Sequence, residues 1–535
     1  MSQQLTTKPF EPAAERPDVK AAWDYHDSTK HSYWSVRSNP HSLDFSNKPL
    51  PFKIYRDLPS LALPEAVESS TVPALRAIAA GDPFEGRAGR MDAIPDLALL
   101  ARLLRFAAGI TKRRTYGEKL EIFFRAAACT GALYHIDLYA VCGDLPDLAA
   151  GVYHYGPHDN TLRLLRRGDC RPQLVEATAG EDYASQAPVI LIAASTFWRN
   201  SWKYQARAWR HCFWDSGTIL ANLLAIAAAE DFPARLLVGF QDDLVNHLVG
   251  LDEQREAALA LIPLGFSQAV TPKARHRLEP LELQTEPLSQ HEVDYPDLRA
   301  VHAATSFRGV GEVEAWRAAR GTPSAEPEPD GMLYHLRPLH AATLSQAPIE
   351  EVIVRRGSSR RFRPDSLTFG QLSTVLQLAT QGIAADFLHP FGATLSSIYL
   401  IVHAIEGVRP GSYSYHRGQQ SLELLKQGTF RAEAGRLGLE QALAADASVN
   451  IYFLADLKEV LAHWGGRGYR AAQLEAAVMA GKMYVAAYAQ GFGATGLTFY
   501  DDEVTAFFSP HASGKSVMFL LALGVPDRLI RTLRR

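Results

Sequence analysis

Cysteine is scarce in this chain of 535 residues. The four present (Cys129, Cys142, Cys170, Cys212) form no CxxC pair and no metal-ligand spacing. That excludes a disulfide framework and fits reduced thiols in a cytoplasm. A basic excess is also missing. Lys and Arg number 55 against 58 Asp and Glu, a net charge of −3. No nucleic-acid partner and no anionic membrane surface is implied. Apolar runs such as 219–229 fall short of the roughly 20 residues that cross a bilayer. The opening MSQQLTTKPFEPAAERP lacks the pattern of a secretory signal. His135-x-Asp137 and the scattered histidines share no convergent spacing, so no metal site is expected. What is present is an ordinary globular composition, 47% hydrophobic and 21% charged, long enough for more than one domain.

The chain repeats itself. Gly411, Tyr413 and Tyr415 answer Gly151, Tyr153 and Tyr155 at a constant offset of 260 (411 − 151). The return strands keep that register: Leu422, Leu424, Leu425, Gly428 and Arg431 follow Leu162, Leu164, Leu165, Gly168 and Arg171. Arg467, Tyr469 and Arg470 follow Arg207, Trp209 and Arg210, and Tyr500-Asp-Asp502 is paired with Phe240-Gln-Asp242. Several segments at one offset indicate an internal duplication of an α+β domain. The organisation expected is a disordered tail over 1–18, a first domain over 19–267, a Pro- and Glu-rich linker over 268–340 and a second domain over 341–535. The first domain opens with an aromatic, basic segment (19–63) that reads as a surface wrap without long elements. The linker composition favours an extended connection, with short helices at DLRAVHAATSF and EVEAWRAAR as candidates within it.

Four stretches carry chemistry. Arg355-Arg-Gly-Ser-Ser-Arg-Arg-Phe362 sets four guanidiniums and two hydroxyls in eight residues, the donors that hold a phosphate. Ala128-Cys-Thr-Gly-Ala-Leu-Tyr134 is a small-residue loop whose backbone N–H groups can approach a flat ligand or an anion. Gly491-Phe-Gly-Ala-Thr-Gly-Leu-Thr498 joins a helix to a strand with three glycines. Lys203-Tyr204 offers two proton-transfer groups where burial moves their pKa values. Each also has a plainer reading: a solvated basic face, a tight turn, a helix–strand connection and an ordinary surface pair. The copies are unequal. Copy one has the intact loop and no arginine cradle; copy two has the cradle and a shortened loop, His389-Pro-Phe-Gly-Ala-Thr-Leu395. A site needing one of each is complete only once.

The chain resembles the SagB/ThcOx-type dehydrogenases of the nitroreductase family, in a tandem-domain form. The resemblance rests on YHDSTKHSYWSVRSNPHSLDFSNKPLPFK, LLRFAAGIT, RAAACTGALYHIDLYAVCGDLP, LAAGVYHY, RRGSSRRF and GFGATGLTFYDDEV. It implies two nitroreductase-like domains forming an intrachain pseudo-dimer, with further oligomerisation compatible with it. It implies FMN held by Arg356, Ser358 and Arg360, by Gly496, Leu497 and Thr498, and by Cys129, Thr130, Gly131 and Ala132 of the other copy, with Arg531, Arg534 or Arg535 adding to the phosphate grip. Lys203 and Tyr204 match the base pair of azoline-oxidising relatives. The implied activity is dehydrogenation of a heterocycle or amine-type substrate, such as a peptide azoline, in natural-product biosynthesis, with a biosynthetic enzyme as a candidate partner. A nicotinamide-dependent nitro- or quinone reductase and a non-catalytic flavin-fold scaffold are the alternatives. Ala128-Cys129 stands where the family has Pro-Ser, and His135 where it has Pro.

Overall fold

A computed structural model describes residues 16–64, 70–85, 91–116, 120–274, 276, 278–319 and 327–527. Most of the tail expected over 1–18, and Arg531, Arg534 and Arg535, lie outside the described residues.

The duplication is visible in the sheets. The first runs Ser60–Ala62, Thr161–Arg167, Gly151–Gly156, Ile136–Cys142, Val189–Thr196, Glu256–Leu264 from edge to edge. The second contains Ser421–Gln427, Gly411–His416, Ser396–Val402, Val449–Ala455 and Ser516–Pro526 in the corresponding order. Tyr139 pairs with His154 and Tyr399 with Ser414, the same register 260 positions apart. Irregularities recur too, at Val152/Tyr153 and Ser412/Tyr413, and at Ala193/Ala194 and Phe453/Leu454. The inner strands are continuous apolar runs buried along their length (VILIAAST, VNIYFLA), as strands covered on both faces must be.

Two buried helices, Ala208–Ala229 and Gly466–Ala489, pack against each other between the sheets. Residues 260 apart meet across this contact. Trp209 stacks on Tyr469 with centroids 5.5 Å apart and planes inclined by 20°. A β-carbon on Gly217 would overlap Ala477, and one on Gly481 would overlap Ala221, so a glycine at each crossing lets the backbones close up. Phe197–Ala229 is, among the described residues, the one helical run apolar and long enough to cross a membrane. Its apolar window is 83% buried, the setting of a core helix. The expectation that no apolar stretch has that length overlooked the continuity of this run.

Reciprocal ion pairs lock the halves together. Arg207 and Arg210 of the first half bind Asp501 of the second at 2.9 and 2.6 Å. Arg467 and Arg470 of the second bind Asp242 of the first. All six groups are buried. Asp242 therefore corresponds to Asp501, an offset of 259, which corrects the alignment of Asp242 with Asp502. One residue has been lost between the long helix and this loop in copy two.

Two further expectations change. The aromatic segment begins with a regular helix, Pro17–Ser28, packed into the core through Val19, Ala22 and Tyr25. The 268–340 stretch is more than an extended connection: Pro296–Ala304 and Val310–Ala318 are helices with buried Leu298, Val301, Val313 and Trp316. These helices do the same work. Arg210 reaches the His26 carbonyl at 2.6 Å and the Thr29 hydroxyl at 2.9 Å. Arg470 reaches the His302 carbonyl at 2.6 Å and the Thr305 hydroxyl at 2.9 Å. His31 exchanges backbone and carboxylate hydrogen bonds with Asp501, and Phe307 with Asp242. The repeat thus includes a leading helix in each half: the first begins at Pro17, inside the tail expected to be disordered, and the second is the candidate helix within the expected linker.

Candidate functional site

The loop after the Leu120–Arg125 strand is fixed by one carboxylate. Asp215, on the first central helix, accepts from the Thr130 N–H at 2.9 Å, the Thr130 hydroxyl at 2.7 Å, the Cys129 thiol at 3.0 Å and His135 Nε2 at 2.9 Å. His135 Nδ1 in turn lies 2.8 Å from the Ser195 hydroxyl. The His135 that departs from the resembled family's proline is therefore a buttress for Asp215. Gly131 has φ +64°, a left-handed conformation glycine adopts freely. Burial and the adjacent Asp215 push the Cys129 thiol well above its ordinary pKa. It stays a neutral hydrogen-bond donor, not a nucleophile. Asp215 was missed from sequence. Its signal was the acidic position that copy two repeats as Glu475, which accepts from the Leu395 N–H at 2.9 Å and the Ser396 hydroxyl at 2.6 Å.

Lys203 and Tyr204 end the Phe197–Tyr204 helix. The Tyr204 hydroxyl covers Gly131: a β-carbon there would lie 2.9 Å from it. Lys203 Nζ sits 5.1 Å from the Tyr204 ring centre. Desolvation, then the positive charges of Arg360 and Lys48, lower the Lys203 ammonium pKa. Desolvation, then Asp215 and Cys129, raise the Tyr204 phenol, with Arg360 opposing. Arg360 belongs to the second half, so the charge of the cradle bears on the Lys-Tyr pair of the first.

The cradle begins where the Ile349–Arg355 helix ends. Arg356 leaves it with extended backbone, and its guanidinium donates to the Ala126 carbonyl at 2.8 Å and the Arg125 carbonyl at 3.1 Å. It thereby reaches across the halves to the base of the loop. The Ser358 and Tyr484 hydroxyls lie 3.3 Å apart, and Tyr484 also accepts the Gly496 N–H. Tyr484, on the second central helix, joins the cradle to the strand Gly493–Leu497 and was missed from sequence, because a tyrosine in a helix that also carries Tyr469 and Tyr488 has no pattern to mark it. Ser359 N–H donates to the Ala494 carbonyl at 2.9 Å. Leu497 is buried, and Thr498 follows it into the loop before Asp501. The structure thus gathers Lys203, Tyr204 and the Cys129–Ala132 loop in one cluster, and Ser358, Tyr484 and Gly496 in another. Arg356 bridges the two.

These groups fit a planar anionic cofactor. The buried hydroxyls of Ser359 and Thr498 have no hydrogen-bond partner. Gly357 keeps its α-carbon face clear, with the Tyr488 hydroxyl 3.8 Å from a β-carbon placed there. Guanidiniums together with unpaired hydroxyls are the donor set of a phosphate-bearing ligand.

Comparison with known proteins agrees with the fold. Residues 353–525, within the second half, match the Nitroreductase family model. A Methanocaldococcus jannaschii protein named for the nitroreductases is 26% identical over 167 residues, 30% of this chain and 84% of its own. A crystal structure of a nitroreductase-type protein from Anabaena variabilis is 25% identical with a TM-score of 0.76, covering 95% of this chain and 99% of its own. The likeness therefore extends over both halves.

Proposed function

We propose that the chain is an FMN-dependent oxidoreductase with one flavin site, built jointly by its two halves as an intrachain pseudo-dimer. The observation that carries this reading is the reach of Arg356, from the second half, to the Ala126 and Arg125 carbonyls at the base of the first half's small-residue loop, at 2.8 and 3.1 Å. Arg356, Ser358 and Arg360 are the phosphate-side donors, Gly496 to Thr498 approach from the second half, and Cys129 to Ala132 from the first. Bound FMN supplies the redox chemistry, accepting a hydride from a carbon beside nitrogen, sulfur or oxygen.

The protein's part is proton management and placement. Lys203 is the proton acceptor, since its lowered pKa raises the neutral amine fraction. Tyr204 is held protonated and orients the substrate as a hydrogen-bond donor. This division favours dehydrogenation of an azoline or amine-type substrate over a reductase supplied by a nicotinamide, which needs no base.

A single site is supported by what fills the equivalent place. Val238 and Gly239 correspond to Leu497 and Thr498, Gly239 and Thr498 each standing three residues before the clamping Asp. Their N–H groups donate to the Asp386 carboxylate at 3.1 and 2.8 Å, and Trp316 Nε1 adds a third bond at 3.0 Å. The chain's own Asp386 carboxylate takes the N–H donors that a second flavin would need, and the Trp316 indole occupies the space over Gly239. Pro73 and Pro348 pair across the halves; eight residues beyond them stand Gly81 and Arg356, so copy one has no arginine there.

The test pairs two readouts. Lys203→Ala is expected to bind FMN as the wild type does and to lose substrate-driven flavin reduction in stopped flow, with NAD(P)H-driven reduction as the comparison. Unchanged dehydrogenation by this variant removes Lys203 as the base.

A further inference from the structure

The second half holds a group of residues that the flavin reading does not use. His416 ends the Gly411–His416 strand, Glu423 lies on the neighbouring Ser421–Gln427 strand, and His511 follows the Asp501–Phe508 helix. No sequence spacing links them; strand pairing and chain return bring them together. His416 Nε2 is 2.6 Å from Glu423 Oε2, and His511 Nε2 is 3.8 Å from the same oxygen. All three ligand atoms lie within 4.8 Å of one another. We propose that His416, Glu423 and His511 form a binding site for a zinc-class divalent cation, separate from the flavin site.

Three features make this a coordination site instead of a chance polar contact. A tetrahedral zinc with bonds of about 2.0–2.1 Å spaces its ligands about 3.3 Å apart, and the distances of 2.6 and 3.8 Å bracket that value. The ligands are also oriented from behind. Glu423 Oε1 accepts the Asp330 and Gly331 N–H groups at 3.0 and 2.8 Å, leaving Oε2 for the ion. The Tyr399 hydroxyl donates to the His511 carbonyl at 3.2 Å and lies 2.9 Å from His511 Nδ1; in the tautomer with Nδ1 protonated, the Nε2 lone pair faces Glu423. Metal-binding histidines are characteristically fixed through their other nitrogen in this way. Third, His416 and His511 line a cavity of about 460 Å³, which leaves a coordination position open to water or a small ligand. In the first half the position matching His416 is Gly156 and that matching Glu423 is Arg163, so the site arose in one copy only.

The experiment uses the full chain, stripped with chelator, reloaded with Zn2+ or Co2+ and dialysed. Elemental analysis is expected to find about one zinc per chain above the His511→Ala variant. His511 is half-buried and the variant is checked for folding by circular dichroism. Co2+ loading is expected to give visible d–d absorption of a four- or five-coordinate ion, absent from His511→Ala. Wild-type protein that keeps no zinc after dialysis at neutral pH overturns the proposal, whatever the variant does. So does zinc retained equally by wild type and by His511→Ala, which places the ion elsewhere.

Discussion

Replacing Gly131 with alanine perturbs the centre of the proposed flavin site by one methyl group. Two terms follow from the structure. Gly131 has φ +64°, and a left-handed conformation costs a residue with a β-carbon about 1–2 kcal/mol. The new carbon would lie 2.9 Å from the Tyr204 hydroxyl and 3.2 Å from its ring edge. Reaching an ordinary contact near 3.5 Å requires a shift of about 0.6 Å. In the variant, the loop relieves this contact by shifting from the conformation that Asp215 fixes. Binding must restore it, so the strain is charged to FMN affinity. A penalty of roughly 1–3 kcal/mol raises the dissociation constant about 5- to 150-fold. Flavin fluorescence quenching on titration measures it. The control is Gly407→Ala, at φ +78° with nothing within 4 Å of the added carbon. It is expected to lower the melting temperature and leave the FMN constant unchanged. If Gly131→Ala binds FMN as tightly as the wild type, the placement of this loop against the cofactor is wrong.

Arg356→Ala removes two hydrogen bonds to the first half as well as a phosphate-side donor. At about 1.5–3 kcal/mol for a charged hydrogen bond, equilibrium titration is expected to show FMN affinity down by at least about tenfold. Asp501→Asn leaves Arg207 and Arg210 buried without their counter-ion, and denaturant unfolding is expected to show a loss of about 3–5 kcal/mol. Asp242 and Asp501 are both held well below the ordinary carboxylate pKa, against the effect of burial, by their paired arginines. A depressed folded-state pKa gives stability that is present above the unfolded value near 3.9 and lost as pH falls below it. Melting temperature should therefore fall on acidification below about pH 4, and less steeply in Asp501→Asn. An equal acid slope in the variant would show that this pair does not govern acid stability.

The duplication, the strand registers and the four chemical stretches were readable from sequence because the residues that set them are local. Alternating apolar positions define a strand, and glycine and arginine clusters stand out by composition. What was not readable depends on distant partners. The leading helices Pro17–Ser28 and Pro296–Ala304 share little beyond a histidine and a threonine three residues apart, and those matter only because Arg210 and Arg470 reach them. The shift from 260 to 259 at Asp501 is invisible until the carboxylate is seen between its arginines. Asp215 and Tyr484 stand in helices that bury other polar residues, Arg210, Asn222, Gln473 and Glu475 among them, so sequence pattern alone does not single them out. Asp386 had no signal, since its role lies in the backbone N–H groups of the opposite half.

The central claim is one flavin site per chain, assembled from both halves. Heat-released flavin from purified, FMN-saturated protein, quantified by absorbance against the protein concentration, tests it most directly. The account predicts one FMN per 535-residue chain, falling toward zero in Arg356→Ala. Two FMN per chain would contradict the closure of the second site by Asp386 and Trp316, and protein that takes up no added FMN would contradict the site altogether.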